Sequence, residues 1–198
     1  VNVFKSKWNL QQFTVFMGWY LSEGNICYDK IKRHKERDYT INICQTEPQN
    51  RAEHIPEIKD VIKQIGFTPR VNGIGVSFSC KWLAEYLERF GKCHEKFVPD
   101  EIKKSSPENI ILFLETFIKG DGCKSKDGHK WSLFTSSVKL KEGLIELLIK
   151  IGRSFTYHYT PAGYRITPSG VYFCRSMWQI QSYEKNFAYL PQPKLIDY

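Results

Sequence analysis

Residues 16–24 read FMGWYLSEG, and residues 114–122 read LETFIKGDG. Both stretches place apolar residues at helical spacing, and both end in an acidic residue followed by glycine. Each is followed by polar residues with strand character and then by a second helical pattern that ends in Ile-Gly, at Gly66 in the first stretch and at Gly152 in the second. This repetition predicts that the chain is a diverged tandem duplication.

The duplication divides the chain into an N-terminal copy, residues 1–104, and a C-terminal copy, residues 105–198. Each copy reads as a helix, two strands, a helix and further strands, which predicts an α+β protein. The first copy is longer between its acidic residue and its Ile-Gly end. A charged insertion near residues 30–38 accounts for the difference, and it is predicted to be a long loop between two strands.

Local patterns support this order of elements. Residues 40–45 alternate apolar and polar side chains, as a half-buried strand does. Residues 126–129 (KDGH) and the glycines within residues 71–79 indicate hairpin turns. Residues 81–90 form an amphipathic helical pattern, whereas the stretch 171–183 fits either a strand or a helix.

Each motif stretch carries small residues on one face. Gly18 and Ser22 are four residues apart, and so are Thr116 and Gly120. Residues at that spacing share one face of a helix, and small side chains let two helix backbones approach closely. We therefore expect the two helices to pack against each other along these faces and to end side by side.

The two acidic residues, Glu23 and Asp121, would then emerge together at the helix ends. A carboxylate at a helix C-terminus faces the negative end of the helix dipole, and a second carboxylate nearby adds repulsion. A divalent metal ion is the natural compensating charge. We expect Gly24 and Gly122 to end the helices in the left-handed conformation. A single acid-glycine pair is also a common surface helix end, but two copies with matching downstream patterns favour a site.

The composition favours a polyanionic partner. The chain has 29 Lys and Arg against 21 Asp and Glu, which gives a formal net charge of +8, and such a surplus attracts nucleic acids through counterion release. The six cysteines are scattered without a C-x-x-C pair, which argues against a zinc site or a disulfide scaffold and predicts a reducing, intracellular compartment. No apolar run approaches the length of a membrane span, so we expect no membrane partner.

The two motif stretches resemble the paired motifs of single-chain LAGLIDADG homing endonucleases, of the branch associated with inteins and introns. The resemblance extends over nearly the whole chain. It implies two αββαββα halves whose motif helices form the interface and whose antiparallel sheets form a saddle over double-stranded DNA. It also implies a monomer with pseudo-twofold symmetry that makes a site-specific double-strand break in a long recognition site.

The same resemblance implies that Glu23 and Asp121 hold Mg²⁺ at the scissile phosphates, with Mn²⁺ or Ca²⁺ able to substitute in binding. The chain departs from the family pattern at two positions. Thr116 stands where the second motif usually has a small glycine, and Gly120 is expected to take over the closest contact. Glu23 stands where aspartate is more usual, although glutamate is still a hard oxygen ligand.

Further active-site roles follow from the resemblance. Lys96, in the sequence KFVP, matches the position of a basic residue that orients or activates water, and Lys185 is its weaker counterpart in the second copy. Gln45, at the end of a predicted strand, resembles the polar residue that organises active-site water. Thr135 or Ser136 would be its partner in the second copy.

Polar positions on the sheet surfaces are expected to read DNA, because a β-surface fits the major groove. On the strand parity read from the sequence, the predicted contacts are Lys30, Thr40, Asn42, Arg70, Asn72, Ser77, Lys124, Lys126, Lys130, Tyr157, Tyr159, Arg165 and Thr167. A shift of one residue in this parity would move the contacts of a strand to its other face.

Two other functions stay open at this point. A domain with this fold can bind nucleic acid without cutting it, as an intron maturase or a DNA-binding regulator does, but the retained Glu23, Asp121 and Lys96 favour the nuclease. A structural interaction domain whose charge is merely solubilising would show no salt-sensitive affinity for duplex DNA.

Overall fold

The computed structural model describes residues 8–29, 38–167 and 170–184. The first copy runs through α1 (Leu10–Glu23), β1 (Gly24–Asp29), β2 (Asp38–Cys44), α2 (Pro48–Gln64), β3 (Arg70–Asn72), β4 (Gly75–Ser79) and α3 (Lys81–Glu88). A short helix, α4 (Asp100–Lys103), leads into the second copy. That copy comprises α5 (Pro107–Asp121), β5 (Gly122–Lys124), β6 (Lys130–Thr135), α6 (Val138–Lys150), β7 (Ser154–Thr160), β8 (Gly163–Thr167), β9 (Gly170–Cys174) and β10 (Met177–Tyr183).

The predicted α+β class is confirmed, and the first copy has the complete αββαββα order. The second copy has the same order except that β8 and β9 stand between β7 and β10. The expected final helix, and residues 30–37 of the charged insertion, fall outside the described residues. The stretch 171–183, which fitted either a strand or a helix, forms β9 and β10. The division at residues 104 and 105 stays a prediction.

Two four-stranded antiparallel sheets carry equivalent strand orders. The first is β1-β2-β4-β3 and the second is β5-β6-β10-β7, while β8 and β9 form a separate two-stranded ribbon. One face of each sheet is apolar and packs against helices, with Ile41 and Phe78 paired across the first sheet and Leu133 and Ile180 across the second. Strand side chains alternate between the two faces, so the opposite face of each sheet is the polar one.

The two motif helices, α1 and α5, form the interface between the copies, as the small-residue faces predicted. A side-chain carbon added at Gly18 would lie 2.7 Å from Thr116 Cβ, and one added at Gly120 would lie 2.3 Å from Ser22 Oγ. Each copy therefore contributes one glycine that receives a larger side chain of the other. Asn9 begins α1 with a capping box, in which the Asn9 and Gln12 side chains each accept the other residue's backbone N–H.

The expected left-handed helix ends at Gly24 and Gly122 are wrong. Gly24 has φ −83° and Gly122 has φ −168°, which is extended backbone in both cases. The glycines are needed for space instead, because a Cβ would lie 2.5 Å from the carbonyl oxygen of Tyr20 at Gly24 and 2.6 Å from that of Ser132 at Gly122. Each chain therefore passes directly from the motif helix into the first strand of its sheet.

None of the helices in the described parts of the chain is long and apolar enough to cross a membrane.

Candidate active site

Glu23 and Asp121 are the last residues of α1 and α5, and the packing of these helices brings the two carboxylates together. The two helices approach closely at this end, because a Cβ added at Gly120 of α5 would lie 2.8 Å from Cγ of Glu23 in α1. Within α1, the Ser22 hydroxyl donates to the Gly18 carbonyl at 3.0 Å. The predicted juxtaposition of the two acids is thus present.

The surroundings of the two acids make their negative charges costly. The pKa of Asp121 is raised to about 7, chiefly by burial and further by the nearby Glu23 carboxylate, while Lys96 acts in the opposite direction. Burial also raises the pKa of Glu23, against the lowering effect of Lys96. Two partly buried carboxylates with raised pKa values, on adjoining helix ends, form a site that a cation would stabilise.

Lys96 is a buried counter-ion of the two carboxylates. Its side chain is only 4% exposed, and its ammonium donates to the carbonyl oxygens of Tyr20 at 2.9 Å, Leu21 at 3.1 Å and Gly24 at 2.9 Å. Burial lowers the pKa of Lys96 to about 8, and Asp121 and Glu23 oppose that shift. The lysine thus binds two carbonyls in the last turn of α1, where a cation complements the helix dipole, and the carbonyl of Gly24 at the start of β1.

This arrangement bears on the predicted role of Lys96 in activating water. An ammonium group has three N–H donors, and all three are occupied by backbone carbonyls. Water activation by Lys96 therefore stays a prediction. The geometry shows that the lysine holds the last turn of α1, and so the orientation of Glu23.

We expect Lys96→Met to destabilise the protein by about 2 kcal/mol, because three buried carbonyl oxygens lose their donor and the two carboxylates lose their counter-ion. We also expect DNA cleavage to slow by about 10- to 100-fold through displacement of Glu23. Urea unfolding and single-turnover cleavage would measure the two effects. Lys119→Met is a suitable control, since Lys119 pairs with Glu57 on the surface. Equal stability and equal cleavage rates for the two variants would contradict the role of Lys96 in holding the last turn of α1.

A cleft of about 490 Å³ opens beside Glu23 and Lys96, and Asn25 and Cys44 line it as well. The Asn25 amide lies 3.2 Å from Cys44 Sγ. Neither residue was among the predicted site residues. Their positions could have been inferred, because Asn25 lies two residues beyond the first acid and Cys44 ends the alternating strand that carries Asn42.

Gln45, the predicted water-organising residue, points elsewhere. It is 4% exposed and its Oε1 lies 3.4 Å from His54 Nδ1 of α2, on the helix side of the sheet. Because strand faces alternate, the residue at the end of β2 that lies on the polar side is Cys44. In the second copy, buried Thr135 accepts the Ser137 N–H at 3.1 Å, while Ser136 lines a different cleft. Lys185 lies outside the described residues.

The predicted DNA contacts of the first sheet share one face. Thr40 pairs with Ser79, and Asn42 pairs with Ser77, which pairs in turn with Arg70. Residues paired directly across a ladder point to the same side, and this side lies opposite the buried Ile41 and Ile43. The first-sheet contacts that share it are Thr40, Asn42, Arg70, Asn72 and Ser77. Lys30 lies outside the described residues.

In the second sheet the predicted parity is wrong for three residues. Lys124 pairs with Trp131 and contacts Glu115 of α5 at 2.6 Å, which places it on the helix side. Tyr157 and Tyr159 are also on the helix side. The Lys141 ammonium of α6 lies 5.4 Å from the Tyr157 ring, and the ring of Tyr159 lies 4.6 Å from that of Trp178.

Other residues form the polar face of the second sheet. Lys130 lies there as predicted. Its polar neighbours include Ser132, Thr156, His158, Gln179 and Gln181, and the apolar Phe134 and Met177 share the same side. Lys126 lies exposed in the turn between β5 and β6. Arg165 and Thr167 belong to β8 in the ribbon rather than to the sheet.

The two carboxylates fit a hard divalent cation. They are oxygen donors, they are desolvated, and they repel each other at adjoining helix ends. No group of three or more His, Cys, Asp and Glu residues in the described part of the chain could hold a metal ion by itself. Mg²⁺ commonly binds through one or two carboxylates together with substrate phosphates and water, so this donor set suits an ion that is bound jointly with a phosphodiester.

Solved structures of known proteins share the fold of this chain, although its sequence gives no match. No protein-family model and no curated protein matches the sequence. The structure of I-DmoI in complex with DNA and Mn is similar over 87% of this chain and 90% of that one, with a TM-score of 0.56 and 17% identity. A structure of mesophilic variants of the homing endonuclease I-DmoI is similar over the same shares, with a TM-score of 0.57 and 17% identity. With its paired motif helices and two equivalent sheets, the chain therefore has the LAGLIDADG homing endonuclease fold.

Proposed function

We propose that this protein is a site-specific DNA endonuclease that makes a metal-dependent double-strand break in a long recognition site. The observation that carries the proposal is the pair of partly buried carboxylates, Glu23 and Asp121, at the adjoining ends of the motif helices. Support comes from the polar faces of the two sheets, from the net charge of +8 and from a fold similar to that of I-DmoI in complex with DNA and Mn.

The residues divide into those that act on the scissile phosphates and those that position the duplex. Glu23 and Asp121 would hold the divalent ion, for which we propose Mg²⁺. Such an ion polarises phosphate oxygens and lowers the pKa of bound water. Lys96 fixes the last turn of α1 through its three carbonyl contacts. The polar sheet faces would lie against the major groove and position the phosphodiesters.

Both carboxylates and both sheets belong to one chain, so we propose that the protein acts as a monomer with pseudo-twofold symmetry. The decisive experiment is selection of cleaved molecules from a library of long duplexes in Mg²⁺. Recovery of one consensus, cut on both strands, is expected. Tight, specific binding without any cleavage would point instead to a maturase or a DNA-binding regulator.

Duplex binding should depend steeply on salt. Each phosphate neutralised by Lys or Arg contributes about −0.9 to the slope of log affinity against log salt concentration. With a net charge of +8 and two sheet faces on the duplex, we expect a slope of roughly −5 or steeper in a fluorescence anisotropy titration with Ca²⁺ in place of Mg²⁺. A flat dependence would remove the premise that this chain binds DNA.

A further inference from the structure

The β8–β9 ribbon has one entirely apolar face. Tyr164 pairs with Phe173 and Ile166 pairs with Val171, so the four side chains lie on the same side. They are 78%, 59%, 87% and 62% exposed, respectively. The other side carries Arg165 and Tyr172, which also pair with each other. We name the set Tyr164, Ile166, Val171 and Phe173 the ribbon face.

The ribbon extends directly from β7 and β10 of the second sheet. The ladder between β7 and β10 ends at the pair Thr160 and Met177, and the ladder between β8 and β9 starts at Gly163 and Cys174. Two residues separate the ladders on each strand, so the ribbon is the outward extension of the β7–β10 pair.

The ribbon begins at the end of the second sheet that lies nearer the carboxylates. Trp178, at the start of β10, pairs with Thr135. Ser137 follows closely, and its hydroxyl donates to the carbonyl oxygen of Lys96 at 2.6 Å. Arg175, between the ribbon and the sheet, lies 3.9 Å from Sγ of Cys93, a residue that lines the cleft beside Glu23.

We propose that the ribbon face enters the major groove of the target duplex beside the cleavage centre and recognises thymine methyl groups. The proposal rests on the proposed function and adds a specificity determinant to it. The major groove admits a two-stranded β-ribbon, and apolar side chains there contact the C5-methyl group of thymine. The DNA phosphates would approach Arg165, on the opposite side of the ribbon, and Arg175, where the ribbon joins the sheet.

Charge and continuity favour DNA over a second copy of this chain as the occupant. A chain with net charge +8 repels its own copies and attracts a polyanion. The ribbon also extends directly from the sheet whose polar face is proposed to bind DNA. An exposed apolar patch of this kind marks an interaction surface.

The test compares Ile166→Ser/Phe173→Ser with Ile149→Ser, a control at an isoleucine that is also well exposed but lies on α6. The probe is the duplex recovered from the cleavage selection, bound in Ca²⁺ and followed by anisotropy. We expect the ribbon variant to raise Kd about tenfold and the control to change it less than twofold. Thermal unfolding of both should match the unsubstituted protein, because all three side chains are exposed.

A matched change on the DNA identifies the contact. Thymines of the target are replaced one at a time by deoxyuridine, which removes only the methyl group. We expect one or more of these replacements to weaken binding by the unsubstituted protein and to have no further effect on the ribbon variant, as coupled partners do. Unchanged Kd for the ribbon variant, or insensitivity to every replacement, would overturn the inference.

Two outcomes separate this inference from its alternatives. If the unsubstituted protein cuts its target while the ribbon variant binds and cuts equally well, the inference fails and the proposed function stands. If the unsubstituted protein binds no duplex, the proposed function itself fails. Sedimentation that shows a dimer for the unsubstituted protein and a monomer for the ribbon variant would assign the ribbon face to self-association and overturn the inference.

Discussion

Replacing Glu23 by Gln, or Asp121 by Asn, is expected to lower the rate of double-strand cleavage by more than about a thousandfold. The expectation follows from the loss of a metal ligand, because a bound divalent ion contributes several kcal/mol of charge stabilisation to phosphoryl chemistry. The amides are nearly isosteric with the acids, so the packing of Gly18 against Thr116 should be retained. Single-turnover cleavage of the selected target in Mg²⁺ is the measurement.

DNA binding and folding provide the controls for these variants. Affinity in Ca²⁺-free buffer should change by no more than a few-fold. Burial and the Glu23 carboxylate raise the pKa of Asp121 from 3.8 to about 7. The stability that this group contributes in acid is therefore lost progressively as pH rises from the lower of these values to the higher, and the full cost of the buried charge remains above pH 7. Asp121→Asn should therefore be more stable than the unsubstituted protein by about 2 kcal/mol at pH 8 without metal, with a smaller gain below pH 6. Lower stability at pH 8 would contradict this account of the helix ends.

The second large effect is expected from filling the space at Gly18. A Cβ there would lie 2.7 Å from Thr116 Cβ and 3.1 Å from the Phe113 carbonyl oxygen, so Gly18→Val has to push the two motif helices apart. We expect a loss of about 3 kcal/mol in the free energy of unfolding, or roughly 6–12 °C in Tm. Displacement of Glu23 relative to Asp121 should also reduce cleavage strongly in the molecules that stay folded.

Gly73→Ala is the matched control for this substitution. Gly73 lies in the turn between β3 and β4, where an added Cβ meets no atom within 4 Å, so its effect should stay within about 0.5 kcal/mol. Urea unfolding measures the free energy of unfolding of both variants. The comparison separates a side chain added at the helix interface from one added where it meets no other atom. Similar stabilities for Gly18→Val and Gly73→Ala would show that the close helix contact is not present in solution.

The helix interface and the acid pair were predictable from the sequence because both depend on short spacings. Gly18 and Ser22 are four residues apart, which fixes their common helix face, and the repeat in the second copy supplies the partner face. Glu23 and Asp121 follow directly as the ends of those helices. The strand face of Asn42 was predictable as well, because its neighbours Ile41 and Ile43 are fully apolar and have to be buried.

The wrong predictions concern segments whose local sequence is compatible with more than one way of packing. In β7 the residues of both faces are largely exposed, so no apolar pattern distinguishes Tyr157 and Tyr159 from Thr156 and His158. The aromatic pair packs on Trp178 of another strand, which the local sequence does not reveal. Gly24 was expected to end α1 in the left-handed conformation, but it is extended and leads directly into β1, where an added Cβ would lie 2.5 Å from the Tyr20 carbonyl oxygen.

The role of Lys96 shows the same limit at longer range. Its position near the acids was predicted from the resemblance, but its bonds to Tyr20, Leu21 and Gly24 span more than seventy residues of sequence. No local pattern specifies which buried carbonyls a lysine will meet. Cys44 rather than Gln45 faces the cleft for a simpler reason, since one residue of register decides the side.

The most direct test of the central claim, that the paired helix ends form the cleavage centre, is the single-turnover rate of a Glu23→Gln/Asp121→Asn double variant. The rate is measured on the selected target in Mg²⁺, with protein in excess over duplex and with binding confirmed beforehand by anisotropy. We predict that the bound duplex is neither nicked nor cut above background. Cleavage of both strands at the unsubstituted protein's rate would contradict the account, because the chemistry would then lie elsewhere and the motif helices would be only a packing interface.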